Sequence, residues 1–297
     1  MRIYLDEQED LIDICMDNVF KAVFTKETPE SLGALAKLLL VLTGREVESV
    51  SIIANEPPIE NLRDRQVRFD MQCKSSEGDY FNVEMSMNPD KFEPVRLEYY
   101  AGKLFTGQDI RGTGRTYRDL KEAYQIAFLA NKRFFEDGEF LHKFEYYDSD
   151  RHVFLGGHSR IITIELSKLD TLEGRGALEM SAAERWAYYF RYLRDKGKRD
   201  TVNEILNYEE GIAMANKVLI HISRDERERA RLMSEYKYLV DTQSKVEEAR
   251  REGMLEGERK GMLEGERKVA KNMKIAGEAV EKIFAFTGLP IEDIAKL

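Results

Sequence analysis

Residues 66–87, QVRFDMQCKSSEGDYFNVEMSM, decide the fold. In the first arm Val67, Phe69, Met71 and Cys73 alternate with Arg68, Asp70 and Gln72. In the second, Phe81, Val83, Met85 and Met87 alternate with Asn82, Glu84 and Ser86. Two period-2 arms around a Ser/Glu/Gly cluster predict a β-hairpin. The two apolar rows must share one sheet face, and this restricts the register. A three-residue loop Ser76-Glu77-Gly78, with Gly78 left-handed, satisfies the restriction. It pairs Ser75 with Asp79 and therefore Asp70 with Glu84, about 5 Å apart at Cβ on the polar face. Two like charges placed so destabilise the pair unless something positive lies between them. A divalent cation does this, and so does Arg68. Asp70 and Glu84 are accordingly read as a hard-metal site on rigid strands.

Composition bounds the rest. The 297 residues suffice for one large domain or two, and 34% charged with 42% hydrophobic residues is a globular mixture. The apolar run around Leu38–Leu42 is too short for a bilayer, and the acidic start MRIYLDEQEDLI has no signal-peptide core. A cytoplasmic protein without membrane attachment is expected. A net charge of −9 argues against a basic nucleic-acid coat protein, though not against a nuclease, whose field is set locally by its site. Cys15 and Cys73 lack zinc-ligand spacing and read as small buried hydrophobes. His142, His152, His158 and His221 have no spacing that points to chemistry.

Outward from the hairpin, helices are expected over 10–25 and over 29–43, the latter opened by Thr28-Pro29 and closed by Gly44. Strands follow at 47–54, 124–130, 140–147, 152–155 and 160–166, with a helix at 93–107. Beyond residue 170 the pattern is helical. Ser181 and Glu184 form a capping box, and 200–222 reads as one amphipathic helix. The expected organisation is an α+β domain over 1–170 and a helical extension over 171–297.

That extension contains a true repeat, GMLEGERK at 253–260 and again at 261–268. Each of its glycines costs a helix about 1 kcal/mol relative to alanine. Either packing against a second helix supports it, giving a homo-oligomer, or it is a solvated spacer. Met254, Leu255, Met262 and Leu263 are few for a coiled-coil seam. Nine basic against eight acidic residues over 241–274 do not make a nucleic-acid-binding helix. The end, IFAFTGLPIEDIAKL, reads as a short helical cap.

The chain resembles the recombination-promoting nuclease/transposase (Rpn) group of the PD-(D/E)XK superfamily, from about residue 14 onward. Asp17-Asn18-Val19-Phe20-Lys21-Ala22-Val23-Phe24 is similar to that group's opening helix. Arg68-Phe69-Asp70 and Val83-Glu84-Met85 are similar to its two site strands. Arg96-Leu97-Glu98-Tyr99-Tyr100, Gly114-Arg115-Thr116-Tyr117 and Ile164-Glu165-Leu166-Ser167-Lys168 follow in the same order. The resemblance implies a restriction-endonuclease-like core, a central mixed sheet flanked by helices. It implies Mg²⁺ or Mn²⁺ held by Asp70 and Glu84, and DNA as partner. Asp17 either joins the carboxylate cluster or caps its helix. Arg96, Tyr99 and Tyr117 either touch a nucleic-acid backbone or, for the tyrosines, pack as core rings. Ser86 stands where the group carries Gln and the superfamily Lys. A serine there hydrogen-bonds water but adds no positive charge. Three functions follow: a Mg²⁺-dependent DNA endonuclease, a weakened relative that binds DNA or a protein without cutting, and a helical oligomerisation protein on an α/β scaffold.

Overall fold

The computed structural model describes residues 4–6, 9–53, 71–108, 110 and 114–297. The chain forms two compact units, Met1–Tyr236 and Lys237–Leu297.

The first unit is a mixed α+β layer structure. It opens with α1 (Asp17–Thr25) and α2 (Pro29–Thr43). The sheet has β1 (Val50–Ile52), β2 (Met71–Ser75), β3 (Tyr80–Ser86), β4 (Ala123–Leu129), β5 (Leu141–Phe144) and β8 (Ser159–Glu165), in the order β1-β2-β3-β4-β8-β5. A separate two-stranded ribbon pairs β6 (Tyr147–Asp148) with β7 (Val153–Phe154). β3, β4 and β8 run parallel, while β1, β2 and β5 are antiparallel to their neighbours. The β3–β4 crossover carries α3 (Glu93–Thr106), as parallel neighbours require a long connection. Then come α4 (Ala182–Tyr192), α5 (Arg199–Tyr208), α6 (Glu210–Arg224) and α7 (Glu226–Ile275).

The hairpin has the expected register. Met71 pairs with Val83, Gln72 with Asn82 and Cys73 with Phe81, and Ser75 N–H donates to Asp79 O at 3.0 Å. Gly78 takes φ 97°, a conformation that only glycine adopts without strain. Met71, Cys73, Phe81, Val83 and Met85 join Ile126, Phe128, Ile162 and Ile164 on one face. They pack on Phe20, Phe24, Trp186 and Phe190, with Phe128 and Phe190 at 4.9 Å between centroids in an edge-on contact. Gly211 lets α6 approach α2 closely, since a Cβ there would lie 2.6 Å from Lys37 Cβ.

Local chemistry explains where helices start. Thr28 accepts from Ser31 N–H, and Gly44 at φ 73° returns its N–H to Leu40 O at 2.8 Å, so α2 has the expected limits. Ser181 and Glu184 cap α4 reciprocally. The first helix begins at Asp17, later than its periodicity predicts. Asp13 Oδ1 takes Cys15 N–H at 2.9 Å, and Ser223 Oγ takes Ile12 N–H at 3.1 Å. Asp13 thereby claims the Cys15 amide, which a helix over 10–16 would direct to Leu11 O. The expected single helix over 200–222 is two, because Glu209 is extended (φ −108°, ψ 105°) between α5 and α6.

Helices α4 to α6 share their core with the sheet. The boundary expected at residue 170 therefore lies inside the first unit. In the second unit, α8 (Val280–Thr287) and α9 (Ile291–Lys296) bury Ile283, Leu289 and Ile294 with Ala270. Met254, Leu255 and Met262 of the repeat are exposed, and a Cβ on any of its four glycines meets nothing within 4 Å. Among the described residues, no helix is long and apolar enough to cross a membrane.

Candidate active site

Alternation along β3 sends Phe81, Val83 and Met85 to the main core, and Asn82 and Glu84 to the opposite face. That face is not left to solvent. Asn82 and Glu84 are both fully buried, and Asn82 Nδ2 donates to Gln125 Oε1 at 2.8 Å.

Over Glu84 the counter-charge comes from α3. Pro94 sits in its first turn, where a missing N–H costs nothing. Glu93 opens that turn, and Arg96, three residues on, shares its side of the helix. Arg96 donates from both terminal nitrogens to Glu84, at 3.2 Å to Oε2 and 3.0 Å to Oε1. It also donates from Nε to Glu93 Oε2 at 3.3 Å, and from Nη2 to Glu93 Oε1. Its guanidinium lies 5.2 Å from the Tyr100 ring centroid. Two buried carboxylates thus bracket one guanidinium. Burial alone would lower the Arg96 pKa, but Glu84 and Glu93 more than offset it and hold the group above its ordinary range. The Arg96 side chain is still 37% exposed while that of Glu84 is at 0%, so the cation has a way out and the carboxylate does not.

The other residues singled out from the sequence are placed as follows. Asp70 and Arg68 lie outside the described residues. Ser86 ends β3 on the strand face of Glu84, partly exposed, and its backbone O accepts from Ala130 N–H at 2.9 Å. Asp17 is the first residue of α1 and partly buried. Tyr99 is on the solvent side of α3, its ring centroid 5.8 Å from Lys103 Nζ. Tyr117 starts a short turn capped by Thr116 and Asp119 and is 81% exposed. Both tyrosine rings face solvent and neither is a core ring. Glu93 was not among the candidates from the sequence. Its signal was Glu93-Pro94-x-Arg96, an acidic residue in a helix first turn three positions before a base.

A second buried carboxylate closes β8. Glu165 accepts Phe134 N–H at 2.5 Å and pairs with Lys168 Nζ at 2.6 Å. Lys168 also donates to Asp137 Oδ1 and to Glu139 O, each at 3.0 Å, and its side chain is only 3% exposed. Hydrogen bonds from His142 and then Lys168 pull Asp137 down to about 2. The cluster fastens the segment 134–142 to the end of β8. Glu165 and Lys168 lie in the Ile164–Lys168 stretch noted in the sequence, to which no role was assigned.

Metal chemistry needs hard oxygen donors around one cation position. Glu84 and Glu93 supply two such carboxylates converging on the place the Arg96 guanidinium holds, so the residues fit a divalent ion. Among the described residues, no group of three or more His, Cys, Asp or Glu side chains gathers into a metal cage.

No curated protein and no solved structure matches the chain. The family model of the PD-(D/E)XK nuclease family transposases matches residues 14–249, a span that takes in β3, α3 and the Glu84–Arg96 pair. Nucleases of this superfamily generally use divalent metals. With a mixed sheet flanked by helices and a match over most of its length, this chain belongs to the PD-(D/E)XK nuclease family transposases, and a nuclease-like function goes with that membership.

Proposed function

We propose that the protein is a DNA endonuclease dependent on Mg²⁺ or Mn²⁺, with Asp70 and Glu84 as its metal ligands. The observation that carries this reading is a fully buried carboxylate, Glu84, paired with a cation that is itself partly open to solvent. A buried carboxylate without a partner is costly, so a group that can replace Arg96 has a strong electrostatic invitation. Asp70 directly precedes Met71, whose partner Val83 directly precedes Glu84. That adjacency makes Asp70 the natural further ligand.

When bound, the divalent ion would activate water and neutralise charge on the scissile phosphate. The chain's own residues do the rest. Glu84 holds its place because β3 is paired on both sides. Arg96, released from Glu84, suits a phosphate by its planar fork. Ser86, on the face of Glu84, orients water through its hydroxyl and adds no charge. Tyr99 and Tyr117, both exposed, are placed to touch the backbone of bound DNA.

Nicking of supercoiled plasmid in Mg²⁺ or Mn²⁺ tests the proposal, with Asp70→Ala as control. Cleavage that is metal-dependent and lost in the variant supports it. Cleavage equal in the two removes Asp70 from the site. The second reading is a relative that binds DNA without cutting. The bidentate hold of Arg96 on Glu84 favours it, since a guanidinium can substitute for the metal permanently. DNA binding in Ca²⁺ with no nicking in any metal would select it.

A further inference from the structure

A cavity of about 270 Å³ lies between α3 and the sheet. An apolar cavity of about 150 Å³ holds one benzene, so this one has room for a ring and a substituent. Pro94, Leu97, Glu98 and Ala101 line it from α3, and their spacing of i, i+3, i+4 and i+7 puts them on one helix face. That stripe is apolar except for Glu98. Phe134, Phe135, Phe144 and Tyr146 bring four aromatic rings to the lining. Phe144 and Tyr146 are 39% and 55% exposed, so the fold leaves much of their ring surface uncovered. Glu93 and Glu145 complete the charged lining, and among the described residues no Lys, Arg or His lines the cavity.

The sign of the charge selects the occupant. Glu93 already accepts from Arg96, and Glu145 from Arg160 Nε at 2.5 Å, both arginines standing outside the lining. Glu98 is exposed and has no ion-pair partner among the described residues. An anion of any kind would meet three carboxylates and be repelled. A neutral apolar ring would cover the aromatic surface but take water from Glu98 and return nothing. A bare, strongly hydrated cation would gain nothing from the rings. A cation on an apolar body meets none of these objections. Its body covers the rings, and its charge lies against their faces and close to Glu98. Two of the three carboxylates already accept hydrogen bonds from arginine, so the lining rewards charge more than N–H donors. That favours a quaternary ammonium over a primary one.

We propose that this cavity binds a small organic cation, a quaternary ammonium carried on an aromatic or similarly bulky apolar group. The site goes beyond the nuclease reading and needs neither Asp70 nor a metal. Glu93 belongs both to the lining and to the Arg96 cluster, so the cavity and the candidate active site share that residue.

The test is titration calorimetry on the full chain with three probes of similar size. Benzyltrimethylammonium carries the charge, 2-methyl-1-phenylpropan-2-ol is its neutral near-isostere, and phenylacetate is the anion. The cation is expected to bind roughly tenfold tighter than the alcohol, the range that a cation over aromatic faces provides, and phenylacetate should not bind. Glu98→Gln should remove most of the difference between cation and alcohol while leaving the alcohol unchanged. Phe144→Leu, which keeps the apolar body and removes the ring face, should weaken the cation more than the alcohol. Circular dichroism checks the fold, and Tyr146→Leu replaces Phe144→Leu if that variant does not fold. Cation and alcohol bound equally, no binding of the cation at millimolar concentration, or cation binding that Glu98→Gln leaves intact would each overturn the proposal. None of these results bears on nicking, so a failure here is distinct from a failure of the nuclease reading.

Discussion

Glu84 and Glu165 are the same residue in nearly the same situation, yet their surroundings differ. Each is a fully buried glutamate near the end of a strand of the parallel core and is paired with a cation. Lys168 comes from the turn right after β8, is 3% exposed, and is held by Glu165, Asp137 and Glu139 O together. Arg96 comes from a helix laid over the sheet, is 37% exposed, and holds two carboxylates. The first arrangement is sealed and serves to fasten a loop. The second has a cation with access to solvent. A buried carboxylate becomes a site when its partner can leave.

The comparison breaks first at Lys168. Lys168→Met should cost about 3–5 kcal/mol, because it strands the Glu165 charge in a dry setting. Urea unfolding measures it, and an unchanged midpoint would mean that this pair is not structural. Glu84→Gln should lower nicking by roughly 10² to 10³, the usual cost of deleting one preorganised electrostatic group, with the fold kept. Should Glu84→Gln cut as fast as wild type, the open pair is not the active site.

Arg96→Met sharpens the contrast. It should destabilise by about 1.5–3 kcal/mol in chelator, as for lost hydrogen bonds to a charged group. Mn²⁺ should restore much of that, whereas it should do nothing for Lys168→Met. Thermal unfolding with and without the ion reads both. Ser86→Lys should raise nicking by about tenfold, or 1.4 kcal/mol of barrier, by placing a cation beside the reacting phosphate. A slower variant would show that the charge is already supplied by another residue.

The smallest effect concerns acid. Asp137 has a folded pKa of about 2 against an ordinary 3.8. Its ionised form is bonded to His142 and Lys168, so its contribution is present above about pH 4 and is lost as pH falls through about 2. Asp137→Asn should flatten the stability profile between those values and little else. A profile identical to wild type would show the exposed end of the Lys168 cluster to be idle.

The hairpin was legible from residues alone because its two apolar rows admit one register around a glycine loop. The limits of α2 and the cap of α4 were legible for a similar reason, since Thr28, Gly44, Ser181 and Glu184 act within one turn of their own position. Local chemistry of that range is written in the chain. The start of α1 was not, because Leu11, Ile12 and Ile14 are buried in a core shared with residues far along the chain. Nor was the contact between Arg96 and Glu84. Arg68, the cation weighed from the sequence, lies outside the described residues, and Arg96 reaches Glu84 because α3 covers the sheet face, a tertiary event.

The sequence by itself determined the strand alternation, the turn at Gly78, the helix caps and the family to which the chain belongs, all carried by spacings of a few residues. Only the tertiary structure decided which charges share a buried space. It set Glu93 and Arg96 over Glu84 and sealed Lys168 over Glu165. The energy of a buried charge depends on what surrounds it in three dimensions, and no spacing along the chain specifies those neighbours.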